Sequence, residues 1–408
     1  MKADLLLTNA AEVITCVSSG DDPLGRVRGG AVAVAGEHIL AVGTTDEILP
    51  TFKSAETTVL DCQGKVLAPG FVDSHTHVVF GGTRVHEYAA KMTRTRAEVQ
   101  AMGIPTGIAA SMQMTRAASD DELLESASAR LWKMLSAGTT TVESKSGYGL
   151  SPEHEIRMLE VNQKLDNALP VDVLSTFLGA HAFPPEIPQD VYVNQIIHEM
   201  LPEVAARGLA VFSDVYIDEG YFNLAQTRRV LEASRKHGFK LKIHADQYSA
   251  LGGSELAAEL GVVSADHLNF TSPETMKKLA NAGVVGTLMP LIDFAVQHPH
   301  PFDARAMLEH GMTLALATDI CPGGWTESMQ LVMQFACRAH GFSPEDAMLA
   351  ATRGGALALD LHDRGTLAPG MLADIQVWDI PRFEDVIYRL GNNAVEVVIK
   401  RGRVINYE

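Results

Sequence analysis

The sequence predicts an α/β protein, a (β/α)8 TIM-type barrel with a small β-sandwich module built from both termini. Three observations indicate this fold class. Segments typical of a helix, a glycine and a strand alternate through the middle of the chain. Short strand-like segments separated by turns occur at both ends. A length of 408 residues accommodates one barrel with an appended module.

The two ends of the chain share a pattern of short strands and turns. Apolar segments such as 31–34, bounded by glycines, occur near the amino terminus, and residues 373–378 repeat the pattern near the carboxyl terminus. We expect residues 1–65 and 366–408 to form one composite β module, and residues 66–365 to form the barrel domain.

Eight candidate strands follow one another in the central region. Ser119 begins a helix with a capping box, Gly138 ends it, and a β-branched run follows. The same order of helix, glycine and strand recurs downstream. The candidate strands are residues 72–77, 139–143, 173–177, 211–218, 241–244, 262–267, 284–289 and 312–319. Eight such units predict a closed parallel barrel with its active site at the carboxyl ends of the strands.

Composition limits the partners that the protein can have. A content of 46% hydrophobic and 20% charged residues is typical of a globular protein with an ample core. A formal net charge of −17, without a basic block, argues against nucleic acid. No apolar run approaches the roughly 20 residues of a bilayer crossing, and no signal peptide is recognised, so we expect no membrane partner. Scattered cysteines suit reduced thiols, so we expect a cytoplasmic protein and, by default, a homodimer.

Histidines and an aspartate stand at the ends of the candidate strands. The first strand ends in His75-x-His77, and a strand places residues i and i+2 on one face. Other strand ends carry His181, His244, Asp266-His267 and Asp319. Three imidazoles and one carboxylate suit one divalent metal, zinc or iron, that activates a bound water. Asp319 and His267 are the candidate bases, and His181 is a candidate to stabilise an oxyanion or protonate a leaving nitrogen.

Five longer motifs in the central region extend this pattern. They are Val142-Glu143-Ser144-Lys145-Ser146-Gly147-Tyr148-Gly149-Leu150, Thr176-Phe177-Leu178-Gly179-Ala180-His181, Ile243-His244-Ala245-Asp246-Gln247, Ser264-Ala265-Asp266-His267-Leu268 and Ala317-Thr318-Asp319. Together they resemble the motifs of the amidohydrolase superfamily and, within it, of the imidazolonepropionase family. The resemblance covers nearly the whole chain.

This resemblance implies a reaction and a set of residue roles. The family hydrolyses the ring amide C–N bond of 4-imidazolone-5-propanoate to N-formimino-L-glutamate, in histidine degradation, by means of a metal-bound hydroxide. The resemblance implies that one divalent metal is bound by His75, His77, His244 and Asp319. It also implies that the water is activated with the help of His267, that substrate is contacted by Arg84, Tyr148 and His181, and that its ring lies close to Gln247.

The segment after the eighth strand departs from the family pattern. Asp-Leu-Asn-Pro-Gly is typical of the family, whereas this chain has Asp319-Ile320-Cys321-Pro322-Gly323, so Cys321 replaces the asparagine that would face the propionate. The loop at Thr95-Arg96 also lacks the family's substrate-holding tyrosine. Arg96 is our candidate to take over part of the carboxylate binding, since a guanidinium can grip a carboxylate with two hydrogen bonds.

Three interpretations of the function stay open from the sequence. The first is the family reaction itself. The second is the same chemistry on another five-membered cyclic amide, a hydantoin-like or thio-substituted imidazolone with an acid tail, or the deamination of a cyclic amidine. The third is a metal-binding protein without catalysis. Both enzymatic interpretations require a small anionic or cyclic substrate that reaches the metal.

Three other features have simpler interpretations. A carboxylated Lys145 that bridges two metals is disfavoured, because the three histidines and Asp319 suffice for one metal. We expect Cys321 to be a thiol that lines the pocket, since no paired histidine would activate it. We expect His298 and His300, which are flanked by prolines, to lie in an exposed loop.

Overall fold

The computed structural model describes residues 2–406, apart from the side chains of Arg96 and Gln100. The described strands are β1 (Leu5–Val13), β2 (Val27–Ala35), β3 (His38–Thr44), β4 (Thr58–Asp61), β5 (Val66–Pro69), β6 (Phe71–Asp73), β7 (Thr139–Lys145), β8 (Asp172–Ala180), β9 (Phe212–Val215), β10 (Lys240–Ala245), β11 (Ser264–His267), β12 (Val285–Leu288), β13 (Leu314–Leu316), β14 (Ile375–Trp378), β15 (Val395–Lys400) and β16 (Arg403–Val404). They form two eight-stranded sheets.

Helices connect these strands and cover the outside of the second sheet. They are α1 (Thr45–Phe52), α2 (Val85–Lys91), α3 (Arg96–Ala101), α4 (Gly107–Ala117), α5 (Asp120–Ser136), α6 (Pro152–Ala168), α7 (Gln189–Gln195), α8 (Leu201–Ala206), α9 (Leu224–Lys236), α10 (Gly253–Leu260), α11 (Pro273–Asn281), α12 (Pro290–Ala295), α13 (Ala304–Glu309), α14 (Met329–Ala339), α15 (Pro344–Leu349), α16 (Gly355–Ala358) and α17 (Glu384–Tyr388). Two π-helical turns, Ile196–Met200 and Ala350–Gly354, join α7 to α8 and α15 to α16. None of the described helices has both the length and the apolar character needed to cross a bilayer.

The first sheet unites the two ends of the chain, as the repeated pattern predicted. Its strand order is β16-β15-β14-β5-β1-β2-β3, with β4 paired to β1. Strand β14, from the carboxyl-terminal part, pairs antiparallel with β5. The predicted sandwich thus takes the form of one continuous hydrogen-bonded sheet. Strand β5 belongs to this sheet, although its residues lie on the barrel side of the predicted boundary at residue 65; the division of the chain into domains otherwise stays a prediction.

The second sheet is the predicted barrel, and each of the eight candidate strands contributes to it. Strands β6 to β13 neighbour one another in chain order, and every pairing between them is parallel. Backbone bonds just beyond β6 and β13 close the ring: His77 N–H donates to the Ile320 carbonyl at 2.9 Å, and Asp319 N–H donates to the His75 carbonyl at 3.0 Å.

The capping signals in the sequence correspond to the ends of the helices. Ser119 and Glu122 form the predicted capping box at the start of α5, whose buried face includes Leu123 and Leu131. Gly138 follows the helix with φ of +98°, a conformation that glycine adopts without a steric penalty. These local signals set the angle at which each helix returns to the next strand.

The first barrel strand is shorter than predicted. Strand β6 ends at Asp73, so His75 and His77 lie in the irregular segment that follows it, not within a strand. Hydrogen bonds to both neighbours still hold this segment: Lys145 N–H donates to the Thr76 carbonyl at 2.9 Å on one side, and His77 N–H bonds Ile320 on the other. The two imidazole centroids are 5.6 Å apart, so the pair still points to one place.

Candidate active site

The carboxyl ends of the barrel strands surround a cavity of about 520 Å³. Helices α2 and α4, the end of α12 with the two residues after it, and the segment after β13 form its walls. The predicted site residues that line it are His77, Arg84, Tyr148, His181, His244, Gln247, His267, Asp319 and Cys321. The barrel thus gathers into one cavity residues that are up to 244 positions apart in the sequence, as expected for this fold.

Three of the predicted metal ligands lie together at the bottom of this cavity. His75, His77 and His244 each offer a ligand nitrogen, and these atoms lie within 4.8 Å of one another. The fourth predicted ligand is adjacent: Asp319 Oδ1 is 3.6 Å from Nε2 of His75 and 3.6 Å from Nε2 of His77. His267 belongs to the same cluster, in a second group with His75 and Asp319.

The donor atoms of this cluster fit a divalent metal. Nε2 of His75 and Nε2 of His244 are buried without a hydrogen-bond partner among the described residues. Buried polar atoms rarely stay unpaired, and a cation is a partner that several imidazole nitrogens can share. Burial also holds the pKa of His75 and of His77 well below the usual range, which keeps the imidazoles in the neutral form that binds metals.

Two residues of the cluster have an uncommon backbone conformation. Asp319 has φ of +48° and His267 has φ of +79°, although neither is glycine. Side chains in this left-handed region carry a steric cost, and such residues are concentrated at functional sites. The conformation turns each side chain from the end of its strand into the cavity, where burial raises the pKa of the Asp319 carboxyl well above its usual value.

A layer of buried charges, which was not predicted from the sequence, lies behind the histidines. Asp266 Oδ2 is 2.6 Å from Nδ1 of His75, and Asp214 Oδ2 is 3.0 Å from Nδ1 of His244. Carboxylates commonly hold the far nitrogen of a metal-binding histidine in this way. Lys145 lies between them, and although burial alone would lower the pKa of its ammonium, Asp214, Glu143 and Asp266 raise it.

His181 offers an acceptor atom to the cavity. Its Nδ1 lies 3.0 Å from the Gly147 carbonyl, which can only accept, so Nδ1 carries the proton and Nε2 carries the lone pair. Burial lowers the pKa of His181 to about 3, which keeps the ring neutral. The rings of Tyr148 and His181 lie 5.2 Å apart between centroids, and burial raises the pKa of the Tyr148 phenol, which keeps it a donor.

Arg84 lies in the cavity wall and is held in one orientation by Glu87. Its Nε donates to Glu87 Oε2 at 2.6 Å, and its Nη2 donates to Oε1 at 2.9 Å. Lys91 also pairs with Glu87, so the three side chains carry one net positive charge. The third nitrogen, Nη1, lies beside Gly323, where an added Cβ would be only 3.1 Å away. Glu87 was not among the predicted residues, although its position three residues after Arg84 in a helix is a recognisable pairing signal.

Cys321 and Arg96 are the two residues predicted to lie beside the carboxylate tail of the substrate. Cys321 lines the cavity, and burial together with Asp319 raises the pKa of its thiol to about 12, so it is a neutral group, as expected for a thiol that lines a pocket. The side chain of Arg96 lies outside what the structure describes, so its part in carboxylate binding stays a prediction.

The second His-x-His pair is less exposed than predicted. His298 is half-buried, and its Nε2 lies 2.9 Å from the backbone carbonyl of Gln247, a residue of the cavity wall. Its Nδ1 lies 2.6 Å from the His300 carbonyl, and its ring packs against Tyr248 at 4.7 Å between centroids. His300 is exposed, as predicted, and stacks on Phe270. The flanking prolines indicated the loop but not its return to the rim.

Comparison with known proteins agrees with this geometry. A barrel whose strand ends carry histidine and carboxylate ligands defines the amidohydrolase class of proteins. The chain belongs to the amidohydrolase family, since the model of that family matches residues 95–406. Within this class it is a member of the imidazolonepropionase family. The imidazolonepropionase of Geobacillus kaustophilus is 42% identical over 98% of this chain and 97% of its own. That of Halobacterium salinarum is also 42% identical, over the same shares of the two chains.

Solved structures with this fold are more distant in sequence. A triazine hydrolase variant superposes with a TM-score of 0.75 at 17% identity, covering 98% of this chain and 94% of the other. An adenosine deaminase from Xanthomonas campestris with bound zinc gives a TM-score of 0.73 at 18% identity, covering 99% and 93%. At this level of identity the likeness establishes the fold alone.

Proposed function

We propose that this chain hydrolyses the ring amide C–N bond of 4-imidazolone-5-propanoate to N-formimino-L-glutamate, a reaction of histidine degradation. The observation that carries the proposal is one cavity that combines a histidine and aspartate cluster with the guanidinium of Arg84. A cluster that can activate water and a nearby cation together suit a cyclic amide with an anionic tail. The imidazolonepropionase relatives, 42% identical over nearly the full length, support the same reaction.

His75, His77, His244 and Asp319 would hold one divalent metal, for which we propose zinc, with iron as the alternative. Their nitrogen and oxygen donors suit either ion. When bound, such a metal lowers the pKa of water and polarises a carbonyl group. The residues around it then have to bind the ring, orient it and move one proton.

His181 and Tyr148 orient the ring in the proposed complex. The ring N–H of the substrate donates to His181 Nε2, because Nδ1 already donates to Gly147. The Tyr148 hydroxyl, which burial keeps protonated, donates to the substrate from the neighbouring wall. We place Gln247 at the edge of the ring, since it lines the same cavity.

His267 and Asp319 handle the proton. Burial keeps His267 neutral, so that it can accept a hydrogen bond from the attacking water. Asp319 takes the proton of that water as the oxygen bonds to the ring carbonyl carbon. The C–N bond then breaks, and the proton moves from Asp319 to the leaving nitrogen, so that the carboxylate is regenerated.

Arg84 binds the propionate with the N–H groups that Glu87 leaves free, those of Nη1 and the second N–H of Nη2. At this end of the cavity, Cys321 contributes a neutral thiol where the family has the amide donor of an asparagine. This replacement favours a second candidate function, hydrolysis of another five-membered cyclic amide with an acid tail.

We also propose that the protein is a cytoplasmic homodimer; light scattering after gel filtration measures the oligomeric state.

Hydrolysis of freshly generated 4-imidazolone-5-propanoate by metal-replete protein tests the proposal. We expect loss of the substrate's ultraviolet absorbance, a product mass equal to substrate plus water, and kcat/KM of about 10⁴ M⁻¹s⁻¹ or higher. Elemental analysis of the same sample identifies the metal. Metal-loaded protein that leaves this substrate intact but opens a hydantoin or thio-imidazolone with an acid tail would replace the first candidate by the second.

A further inference from the structure

Two of the histidines at the metal centre are each backed by a carboxylate on the side away from the cavity. Asp266 contacts His75 at 2.6 Å, and Asp214 contacts His244 at 3.0 Å. Both carboxylates are buried away from bulk solvent. Such carboxylates hold the imidazole in the tautomer that leaves the other nitrogen free for metal. Their own orientation therefore decides the direction in which His75 and His244 point.

Lys145 is the group that lies between these two carboxylates. Its Nζ is 2.7 Å from Asp214 Oδ2 and 3.5 Å from Asp266 Oδ2, and its side chain has no solvent exposure. Lys145 is the last residue of β7, and its backbone N–H bonds Thr76, the residue between His75 and His77. Both ends of this residue thus connect to the proposed ligand set.

A second buried lysine lies close by but has other contacts. Lys242 Nζ donates to the Ser74 carbonyl at 2.8 Å and lies 3.2 Å from Glu143. Glu143 also contacts Lys145, at 2.8 Å, but it backs none of the proposed metal ligands among the described contacts. Asp214 and Asp266 are thus joined through Lys145, while Glu143 balances the charge of the two lysines.

We propose that Lys145 is a positioning residue of the metal centre, whose ammonium joins Asp214 to Asp266 and so fixes the orientation of His244 and His75. The physical reason is that two carboxylates in a buried layer repel each other unless a cation lies between them. Without that cation each carboxylate turns away, and the imidazole it holds turns with it. The inference rests on the proposed ligand set, not on the identity of the substrate.

The test compares metal binding in Lys145→Met with that in the wild-type protein. We expect competition with a chelating dye to give a zinc affinity lower by roughly 10- to 100-fold, the usual effect of losing a group that holds a ligand in place. We also expect the visible absorption bands of the cobalt-substituted protein to change in position and intensity, because the ligand geometry changes. A variant with wild-type zinc affinity and an unchanged cobalt spectrum would overturn the proposal.

A charge-matched pair of variants covers the case in which Lys145→Met does not fold. Glu143→Gln/Lys145→Met removes one charge of each sign, whereas Glu143→Gln alone keeps the ammonium between Asp214 and Asp266. We expect the double variant to show the weaker zinc binding and the altered cobalt spectrum, and the single variant to stay close to wild type. Equal effects in both would mean that Lys145 only balances charge, which contradicts a positioning role. Because neither measurement uses substrate, inactive protein on the imidazolone would leave this inference standing.

Discussion

Glu87 holds the Arg84 guanidinium in one orientation and occupies only two of its five N–H groups. Glu87 accepts from Nε and Nη2, and the missing side chain of Gly323 leaves room for Nη1. The N–H groups that remain, on Nη1 and Nη2, can bind a carboxylate end-on through two parallel charge-assisted hydrogen bonds. Recognition of the tail at the residue scale therefore depends on the orientation in which Glu87 holds this guanidinium.

Replacing Arg84 by methionine tests this at the level of one residue. We expect Arg84→Met to raise KM by roughly 10- to 100-fold, since a hydrogen bond to a charged group contributes about 1.5–3 kcal/mol. Steady-state kinetics on 4-imidazolone-5-propanoate measures the effect. The control substrate is the carboxamide of the same compound, whose tail carries no charge. An equal loss on the carboxamide would mean that Arg84 does not bind the tail.

Replacing a proposed metal ligand tests the metal centre. We expect His244→Ala to lose most of its metal and to lower kcat by roughly 10³-fold or more, because water is no longer activated. Far-UV circular dichroism stays that of the wild type, since the hydrophobic core does not depend on this side chain. The matched control, His198→Ala, removes an exposed imidazole from a helical turn. Full metal content with normal turnover in His244→Ala would refute the ligand set.

At the scale of the element, the loop that carries His298 reaches back to the segment after β10. Its Nε2 donates to the Gln247 carbonyl, and its Nδ1 accepts from the His300 backbone N–H at 3.1 Å, so this ring ties two loops of the cavity rim together. The loop is therefore not only a connection between α12 and α13. It supports the backbone of a residue that we place beside the substrate ring.

The two histidines of this loop provide their own control. We expect His298→Ala to lower kcat/KM by about 2- to 10-fold without loss of metal, as one hydrogen bond contributes about 0.5–1.5 kcal/mol. His300→Ala keeps the backbone N–H that His298 contacts, so kinetics close to wild type are expected. Equal losses of kcat/KM in the two variants would show that the effect comes from removing any side chain of this loop and not from the contact between His298 and Gln247.

The positions of the barrel strands could be predicted from the sequence, whereas the contacts among the buried charges behind the histidines could not. The alternation of helix, glycine and apolar strand located β7 and β10, and the residues at their ends marked the cavity. Glu143 and Lys145 carried a signal as well: two opposite charges at positions i and i+2 in a β-branched strand must face the same buried side. The sequence does not reveal which carboxylates on other strands meet Lys145, because that depends on the barrel's register.

At the scale of the whole molecule, a charged junction connects the two sheets. Asp172, at the start of β8, forms an ion pair with Arg364. Its Oδ2 also lies 2.8 Å from Lys400 Nζ and 3.2 Å from Arg401 Nη2. Lys400 in turn pairs with Asp374. Length and composition indicated a composite terminal module, but this junction joins residues more than 190 positions apart and has no local signal. Only the packed structure brings these charges together.

Acid should weaken this junction. Burial would raise the pKa of Asp172, but Lys400, Arg364 and Arg401 outweigh it and lower that pKa below its usual value. The carboxylate therefore stabilises the fold fully above its ordinary pKa of about 4 and loses this contribution as the pH falls through the lower folded value. We expect Asp172→Asn to cost about 1.5–3 kcal/mol at neutral pH, with the difference in Tm from wild type closing below about pH 4.

Thermal unfolding followed by circular dichroism across this pH range measures that difference. The exposed Asp21 provides the control, since Asp21→Asn should leave Tm close to wild type at every pH. A Tm difference for Asp172→Asn that persists unchanged into acid would mean that the loss is one of packing and not of charge.

The closure of the barrel has a consequence for how the protein is made. The bonds that join the first strand to the last run through His75, His77 and Asp319, the same residues that we propose as metal ligands. A nascent chain presents the two histidines early and the aspartate only after some 240 further residues have left the ribosome. A complete set of ligands therefore exists only in a chain whose barrel has closed, and tight metal uptake reports the end of folding.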